Sequence, residues 1–301
     1  MRTLFEPHFE VPDLSGKVIL ITGASSGIGR AAALRLAAAG ATVLAHGRSR
    51  ERTTEVAQAV GSKPLVADFA RLEEVSALAT AVRRETDRLD VVMHNAGALV
   101  PQRTITVDGH ELTFQGNHLA AFLLQLLLND LIVGTPGSRV IVTSSAANRS
   151  ARVNLEDLDH EWARYRPFAV YATTKLENVL FVRELSRNLV GTSTVAMAVH
   201  PGSVATAFGG GSFYPGFFYR MPGHRAYLIA PEAGAAPLVW LASVPSVKTA
   251  NGVYFDRFKP HGKTSPQADD ADLAWELWRR SVVMVDQWLD RVAGWDEIVV
   301  G

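Results

Sequence analysis

The sequence of 301 residues contains no cysteine. Disulfide bonds, thiolate catalysis and cysteine-ligated metal sites are therefore excluded, and the composition fits a reducing compartment. Histidine is present, but His46, His94, His118 and His200 do not have the spacing of a metal site. We predict no bound metal, and we expect these histidines to be structural or to line a pocket.

Two further absences bear on partners and location. Lysine plus arginine and aspartate plus glutamate both number 30, so no basic surplus points to nucleic acid. The most hydrophobic run, Leu119 to Leu128, contains Gln125 and is too short to span a membrane, and the start of the chain lacks the apolar core of a signal peptide. We expect a cytoplasmic protein that binds small molecules, with no nucleic-acid or membrane partner.

The composition supplies one large core, since 48% of the residues are hydrophobic. Short runs rich in β-branched residues alternate with helical patterns, which is typical of strand-helix-strand units in a parallel sheet. Strands are predicted near 17–22, 41–46, 63–67, 89–94, 138–143, 193–199 and 252–255, and helices near 28–39, 50–60, 71–87, 110–130, 168–190, 231–243 and 268–292. We predict an α/β fold in which residues 1–301 form a single doubly wound Rossmann domain with a mostly parallel seven-stranded sheet.

A glycine-rich turn follows the first predicted strand. Gly23 permits a tight turn, Gly27 allows a phosphate to approach the backbone, and Gly29 allows the next helix to pack closely on the strand. The amides at the start of that helix would face an anion. The Gly-x-x-x-Gly-x-Gly spacing alone is weak evidence, because a merely structural turn could carry it. We interpret the turn as a cradle for the pyrophosphate of a dinucleotide.

The residues after the second predicted strand bear on the choice of cofactor, because ligands of open parallel sheets bind at the carboxyl ends of the strands. Gly47 and Arg48 stand where a cofactor without a 2′-phosphate would require a carboxylate. A guanidinium-phosphate hydrogen bond is worth roughly 1.5–3 kcal/mol. We predict that NADP(H) is favoured over NAD(H); an ordinary exposed arginine is the alternative interpretation.

Tyr171 and Lys175 are four residues apart, so a helix would place the phenol and the ammonium group on one face. An unperturbed tyrosine has a pKa of about 10 and is almost fully protonated at neutral pH. A nearby cation would lower that pKa and allow the phenol to act as an acid-base group. We predict that Lys175 is this cation.

Several segments together resemble the short-chain dehydrogenase/reductase family. They are Thr22-Gly23-Ala24-Ser25-Ser26-Gly27-Ile28-Gly29, the run His94-Asn95-Ala96-Gly97, Tyr171 with Lys175, and Pro201-Gly202-Ser203-Val204-Ala205-Thr206. The resemblance implies a cofactor site formed by Gly23, Ser25, Ser26, Gly27, Ile28, Gly29, Arg48, Asp68, Phe69, Asn95, Ala96, Gly97, Tyr171, Lys175, Pro201, Gly202, Val204 and Thr206. Family members that use NADP often carry a second basic residue at the position of Ser26, so the preference for NADP is expected to be modest.

The resemblance also implies a catalytic tetrad of Asn117, Ser145, Tyr171 and Lys175, which occur in family order. Ser145 would polarise a carbonyl oxygen, Tyr171 would transfer the proton, Lys175 would hold the ribose hydroxyls, and Asn117 would anchor a water relay. Judged from the residues alone, Ser145 could instead cap a turn.

A second position with two interpretations is Asp68. The resemblance implies that its carboxylate binds the adenine amino group. A carboxylate there could instead cap the helix predicted to begin near Arg71.

Two features narrow the resemblance to one branch. The gap of 26 residues between Ser145 and Tyr171 is long, and the C-terminal part carries Gly252-Val253-Tyr254-Phe255-Asp256, Ser265-Pro266 and Leu277-Trp278. Both look like the retinol dehydrogenase and WW-domain oxidoreductase branch. No WW domain or membrane anchor is found, so neither a lipid habitat nor retinoid chemistry is carried over, and the substrate is left open.

Two segments have two interpretations each. The aromatic, glycine-rich stretch 207–227, within an insert at about 203–228, is either a substrate lid or a partner surface, and the insert from Ala146 to Phe168 either shapes the pocket or decorates it. The family usually forms a homodimer or homotetramer through helices corresponding to 110–130 and 168–190. The run from Leu119 to Leu128 permits this, or is packed inside one subunit.

We therefore predict an oxidoreductase that transfers a hydride between NADP(H) and the carbonyl or alcohol of a small, apolar substrate. Two alternatives stay open. One is a non-catalytic NADP-binding sensor or regulator, and the other is an NAD-dependent alcohol dehydrogenase.

Overall fold

The computed structural model describes residues 9–162, 164–204, 229–246 and 251–289. Seven strands form one sheet in the order β3-β2-β1-β4-β5-β6-β7, and all neighbouring strands are parallel. The strands are β1 Val18–Ile21, β2 Thr42–Gly47, β3 Leu65–Val66, β4 Val91–His94, β5 Arg139–Thr143, β6 Val195–His200 and β7 Tyr254–Asp256. The predicted doubly wound Rossmann sheet is confirmed.

The helices lie on both faces of this sheet. Those in the described ranges are α1 Gly27–Ala38, α2 Arg50–Ala59, α3 Leu72–Glu85, α4 (Leu112–Phe114, Gln115–Leu119 and Ala120–Leu127 in succession), α5 Asn129–Val133, α6 Pro167–Asn188, α7 Pro231–Ser243 and α8 Ala271–Leu289. The helix predicted over 110–130 is divided, because its middle is a π-helical turn and a break at Leu128 separates α4 from α5. Gly116 and Asn117 have low helix propensity, which makes a departure from α-helical geometry less costly there.

Strand β1 shows how the sheet is buried on both faces. Ile19, Leu20 and Ile21 are all fully buried. Leu20 faces a core layer shared with α3, α4 and α6, whereas Ile19 and Ile21 face the layer shared with α1 and α7. A continuous apolar strand is what a parallel sheet covered on both sides requires.

Helix α8 packs on α4 and α6 of the same chain. The ring centroid of Trp278 lies 4.9 Å from that of Phe122 on α4 and 6.0 Å from that of Phe181 on α6. Every residue from Leu119 to Leu128 is at most 4% exposed. Burial of this run therefore needs no second subunit, and the homodimer or homotetramer stays a prediction. No helix in the described ranges is both long and apolar enough to cross a membrane.

Candidate active site

The glycine-rich turn after β1 has the shape that a phosphate cradle requires. Gly23 has a φ of 68°, and a Cβ on it would lie 2.8 Å from the Ala96 Cα. A Cβ on Gly29 would overlap the Gly23 oxygen, so both positions exclude larger residues. The Ser26 side chain caps no amide of α1, and the first turn of α1, which is fully described, carries no acidic residue. The first amides of α1 are therefore left to an anion, as predicted for the pyrophosphate of a dinucleotide.

The loop after β4 is fixed beside this turn by Thr22. Its Oγ1 accepts hydrogen bonds from the Asn95 and Ala96 amides, both at 3.0 Å, and its main-chain oxygen accepts one from Asn95 Nδ2 at 3.0 Å. A Cβ on Gly97 would lie 3.1 Å from Lys175 Nζ and 3.2 Å from an Asn117 oxygen. The predicted cofactor loop and the predicted catalytic residues therefore meet at Gly97.

At the end of β2, Arg48 is exposed and makes no ion pair with any residue that the structure describes. Gly47 before it packs against the glycine-rich turn, because a Cβ there would lie 2.6 Å from the Ser25 Cβ and 2.6 Å from Thr53 Oγ1. Arg48 therefore directly follows a residue, Gly47, that packs against the predicted phosphate cradle.

The side chains of Asp68 and Phe69 have different surroundings. Asp68 Oδ1 accepts from the Ala70 amide at 3.0 Å, which leaves the second carboxylate oxygen for another donor. The Asp68 side chain does not cap α3, because the Leu72 amide donates to Asp108 at 2.9 Å; the capping alternative is wrong. The Phe69 ring is buried and stacks on His46 at 4.8 Å between centroids.

The segment after β6 lies against the glycine-rich turn. Gly202 has a φ of 102°, and a Cβ on it would lie 2.8 Å from Ile229. Val204 and Ile28 both approach Gly234 of α7, since a Cβ there would overlap the Val204 side chain and lie 3.2 Å from the Ile28 side chain. Thr206 and the aromatic stretch 207–227 lie outside the described residues.

Ser145 and Tyr171 are in direct contact. Ser145 follows β5 and begins a 3-10 turn, where its Oγ accepts from the Ala147 amide at 3.2 Å. The same hydroxyl hydrogen-bonds the Tyr171 side chain. Burial raises the pKa of Tyr171 to about 12, and the hydrogen bond with Ser145 opposes that rise. Ser145 therefore caps the turn, as the alternative interpretation predicted, and it also lies beside the phenol; its predicted role in polarising a carbonyl oxygen stays a prediction.

Lys175 lies one helical turn beyond Tyr171, and its Nζ is 5.5 Å from the centre of the tyrosine ring. Nζ donates to the main-chain oxygen of Thr143 at 3.1 Å. Burial lowers the pKa of Lys175 to about 8, so the group is still mostly charged at neutral pH. Burial of the phenol is the largest effect on the pKa of Tyr171 and makes the net shift upward, so the lowering by Lys175 stays a prediction.

Asn117 lies in the π-helical turn of α4, and its side-chain amide makes hydrogen bonds through both its oxygen and its nitrogen. Its Oδ1 accepts from the Ala98 amide at 2.7 Å, while Nδ2 donates to the Ala98 oxygen at 2.8 Å and to Thr174 Oγ1 at 3.1 Å. Its main-chain oxygen accepts from Asn178 at 3.1 Å. Asn117 therefore ties the loop after β4 to α6, directly beside Lys175.

Three polar residues of this site were not predicted from the sequence: Thr22, Thr143 and Asn178. Asn178 was detectable, since it is a buried amide three residues after Lys175 on the same helix face.

Two of the histidines considered in the sequence analysis are structural. His94 bonds Gln125 at 3.1 Å, and burial lowers the pKa values of His94 and His118 to about 4.

Comparisons with known proteins agree with this geometry. A family model described as short chain dehydrogenase matches residues 17–213. A Streptomyces sp. (strain C5) protein provisionally named daunorubicin C-13 ketoreductase DnrU is 40% identical over 285 residues, which cover 93% of this chain and 95% of that protein. Retinol dehydrogenase 14 of Mus musculus is 38% identical over 293 residues, covering 90% and 86%. A structure from Escherichia coli CFT073 complexed with NADPH has a TM-score of 0.65 at 26% identity, covering 81% of this chain and 98% of that one.

Proposed function

The chain belongs to the short-chain dehydrogenase family, in the branch similar to retinol dehydrogenases and the WW domain-containing oxidoreductase, and from that premise we propose that it is an NADP(H)-dependent carbonyl reductase. Its substrate would be a small, apolar aldehyde or ketone. The observation that carries the proposal is the pair of Ser145 and Tyr171, a neutral donor and a protonated phenol in contact beside Lys175.

The residues fit the cofactor as well as the reaction. The first amides of α1 would bind the pyrophosphate, Arg48 the 2′-phosphate, Lys175 the ribose hydroxyls, and the segment from Pro201 to Val204 the nicotinamide carboxamide. Bound NADPH would supply the hydride that adds to the carbonyl carbon.

The protein would supply the proton and stabilise the charge that develops on oxygen. Ser145 would donate a hydrogen bond to the carbonyl oxygen as that oxygen gains negative charge. Tyr171 would transfer its phenolic proton to the same oxygen, which completes the alcohol and leaves a phenolate. The ammonium group of Lys175, 5.5 Å from the ring, would stabilise that phenolate.

The raised pKa of Tyr171 suits the proton donor that carbonyl reduction requires, whereas the direction of net reaction is set by the pH and by the ratio of reduced to oxidised cofactor. With a pKa of about 12 the phenol is protonated throughout the neutral range, so it is ready to donate and has to be ionised before it can accept. The name of the Streptomyces relative, a ketoreductase, agrees with carbonyl reduction.

The preference for NADP(H) is supported by Arg48, which makes no ion pair within the described ranges and follows Gly47 beside the glycine-rich turn, and by the absence of a carboxylate at that position. The apolar substrate class is supported by the aromatic composition of 207–227. Both parts of the proposal are tested by one set of assays.

The experiment is to follow the oxidation of NADPH and NADH by the purified protein over a panel of apolar aldehydes, ketones and quinones, with Tyr171→Phe as the control. We expect turnover with NADPH that disappears in Tyr171→Phe. Turnover retained in that variant would refute the tyrosine mechanism, and equal affinities for the two cofactors would refute the NADP preference. Tight NADPH binding with no turnover over the whole panel would favour the sensor.

A further inference from the structure

Asn178 lies on α6 three residues after Lys175, and its amide is directed at two main-chain oxygens. Nδ2 donates to the Asn117 oxygen at 3.1 Å and to the Thr143 oxygen at 3.4 Å. The side chain is only 2% exposed. Both acceptors are carbonyl oxygens, so the orientation of the amide follows from its neighbours.

Lys175 shares one of these acceptors, because its Nζ also donates to the Thr143 oxygen, at 3.1 Å. The Asn178 amide and the ammonium group therefore lie within about 6.5 Å of each other. The side chain of Asn117 is close to Lys175 as well, since Asn117 Oδ1 and Lys175 Nζ lie 3.2 Å and 3.1 Å from where a Cβ on Gly97 would be. Through its two hydrogen bonds, Asn178 ties the Thr143 oxygen that holds Lys175 to the main-chain oxygen of Asn117.

We propose that Asn178 is a positioning residue for Lys175. By bridging the main-chain oxygens of Thr143 and Asn117, it fixes the Thr143 oxygen to which Lys175 Nζ donates, and so holds the ammonium group in place for Tyr171 and the cofactor. The part of this proposal that concerns catalysis rests on the proposed function.

Other titratable side chains near Lys175 could also affect the pH profile. Within the described chain, the titratable side chains that face this cluster are Tyr171 on α6 and His118 on α4, whose Nε2 lies 3.1 Å from Ser281 Oγ of α8. Burial raises the pKa of Tyr171 to about 12 and lowers that of His118 to about 4. Neither changes charge between pH 6 and 10, so an alkaline limb near pH 8 would report Lys175.

The test compares wild type, Asn178→Asp and Asn178→Ala by two readouts between pH 6 and 10. These are kcat/KM for carbonyl reduction and the affinity for NADPH, measured by its fluorescence. Asn178→Asp places a carboxylate beside the ammonium group, and we expect the alkaline limb to move upward by at least about one pH unit. Asn178→Ala removes the bridge that fixes the Thr143 oxygen, so Lys175 is held less well, and we expect kcat to fall about 10-fold and the affinity for NADPH to weaken.

Val179→Ala is the matched control for lost stability, because Val179 is the next residue on α6 and is buried in the hydrophobic core. Its unfolding midpoint should fall while its alkaline limb stays at the wild-type pH. An unmoved limb in Asn178→Asp, or wild-type kcat and NADPH affinity in Asn178→Ala, would overturn the proposal. If no form turns over any substrate but the pH limb of NADPH binding still moves in Asn178→Asp, the proposed function fails and the role of Asn178 stands.

Discussion

Replacing Lys175 with methionine is expected to stabilise the fold while it abolishes catalysis. Burial lowers the pKa of Lys175 from 10.5 to about 8, which means that the folded state holds the charged form unfavourably. At about 1.4 kcal/mol per pKa unit, the penalty at pH 7 is about 3 kcal/mol. Methionine has a similar length and carries no charge, so most of that penalty should be recovered. The Thr143 oxygen would keep a partner, because Asn178 Nδ2 also donates to it.

The pH dependence of this effect distinguishes it from improved packing. The folded-state pKa is depressed, so the penalty is fully present below about pH 8 and fades as the pH rises toward the unfolded value of 10.5. Urea unfolding of Lys175→Met and wild type should therefore differ by up to about 3 kcal/mol at pH 7, and the difference should shrink by about 2 kcal/mol at pH 9.5. Turnover at either pH should fall by at least about 100-fold.

The control for a general effect of removing a lysine is Lys63→Met. The side chain of Lys63 is 78% exposed and pairs with Glu85, so its loss should change the free energy of unfolding by less than about 0.5 kcal/mol. A Lys175→Met protein that is less stable than wild type at pH 7, with a difference that does not depend on pH, would refute the argument from burial.

Three other substitutions test single features. Glu177 is fully buried, and neither of its carboxyl oxygens has a hydrogen-bond partner in the described chain, so burial raises its pKa. The free-energy penalty of ionising Glu177 in the folded state therefore grows as the pH rises above 4.5. Glu177→Gln should raise the urea midpoint of unfolding at pH 8 but not at pH 4. In Gly97→Ala, the new methyl group would lie 3.1 Å from Lys175 Nζ and 3.2 Å from an Asn117 oxygen, so kcat should fall about 10-fold with little change in melting temperature, and an unchanged kcat would contradict the described geometry. Arg48→Ala should raise the KM for NADPH about 10- to 100-fold and leave that for NADH unchanged; equal changes in both would show that Arg48 does not read the 2′-phosphate.

Most of the fold could be predicted from the sequence because the signals are local. Each strand of a buried parallel sheet is a short apolar run, and all seven observed strands fall within about two residues of their predicted positions. The division of α4 was partly predictable, since Gly116 and Asn117 are poor helix formers, but the type of turn was not. Packing of α8 on α4 and α6 depends on contacts between residues far apart in the sequence, such as Phe122 with Trp278.

The candidate site, like the fold, was predictable from the sequence only in part. The order of the catalytic residues is a local property of the sequence, and so is the glycine spacing. The pKa of Tyr171 is not, because it depends on how completely several elements exclude water from one phenol. A charge four residues away predicts a lowered pKa, whereas the burial of Tyr171 raises it to about 12. The same burial lowers the pKa of Lys175, which a sequence pattern does not reveal.

These two effects act together on the proton transfer. A tyrosine with a pKa of about 12 has roughly one phenolate in 100,000 molecules at pH 7, so the unliganded site is prepared to give a proton rather than to take one. Once the proton has left, the phenolate is in a site with little water, where the attraction of Lys175 is strong. The arrangement therefore holds a neutral acid before proton transfer, and the attraction of Lys175 offsets part of the cost of the buried phenolate after it. Burial, which opposes ionisation at rest, also makes the ammonium group an effective partner during the reaction.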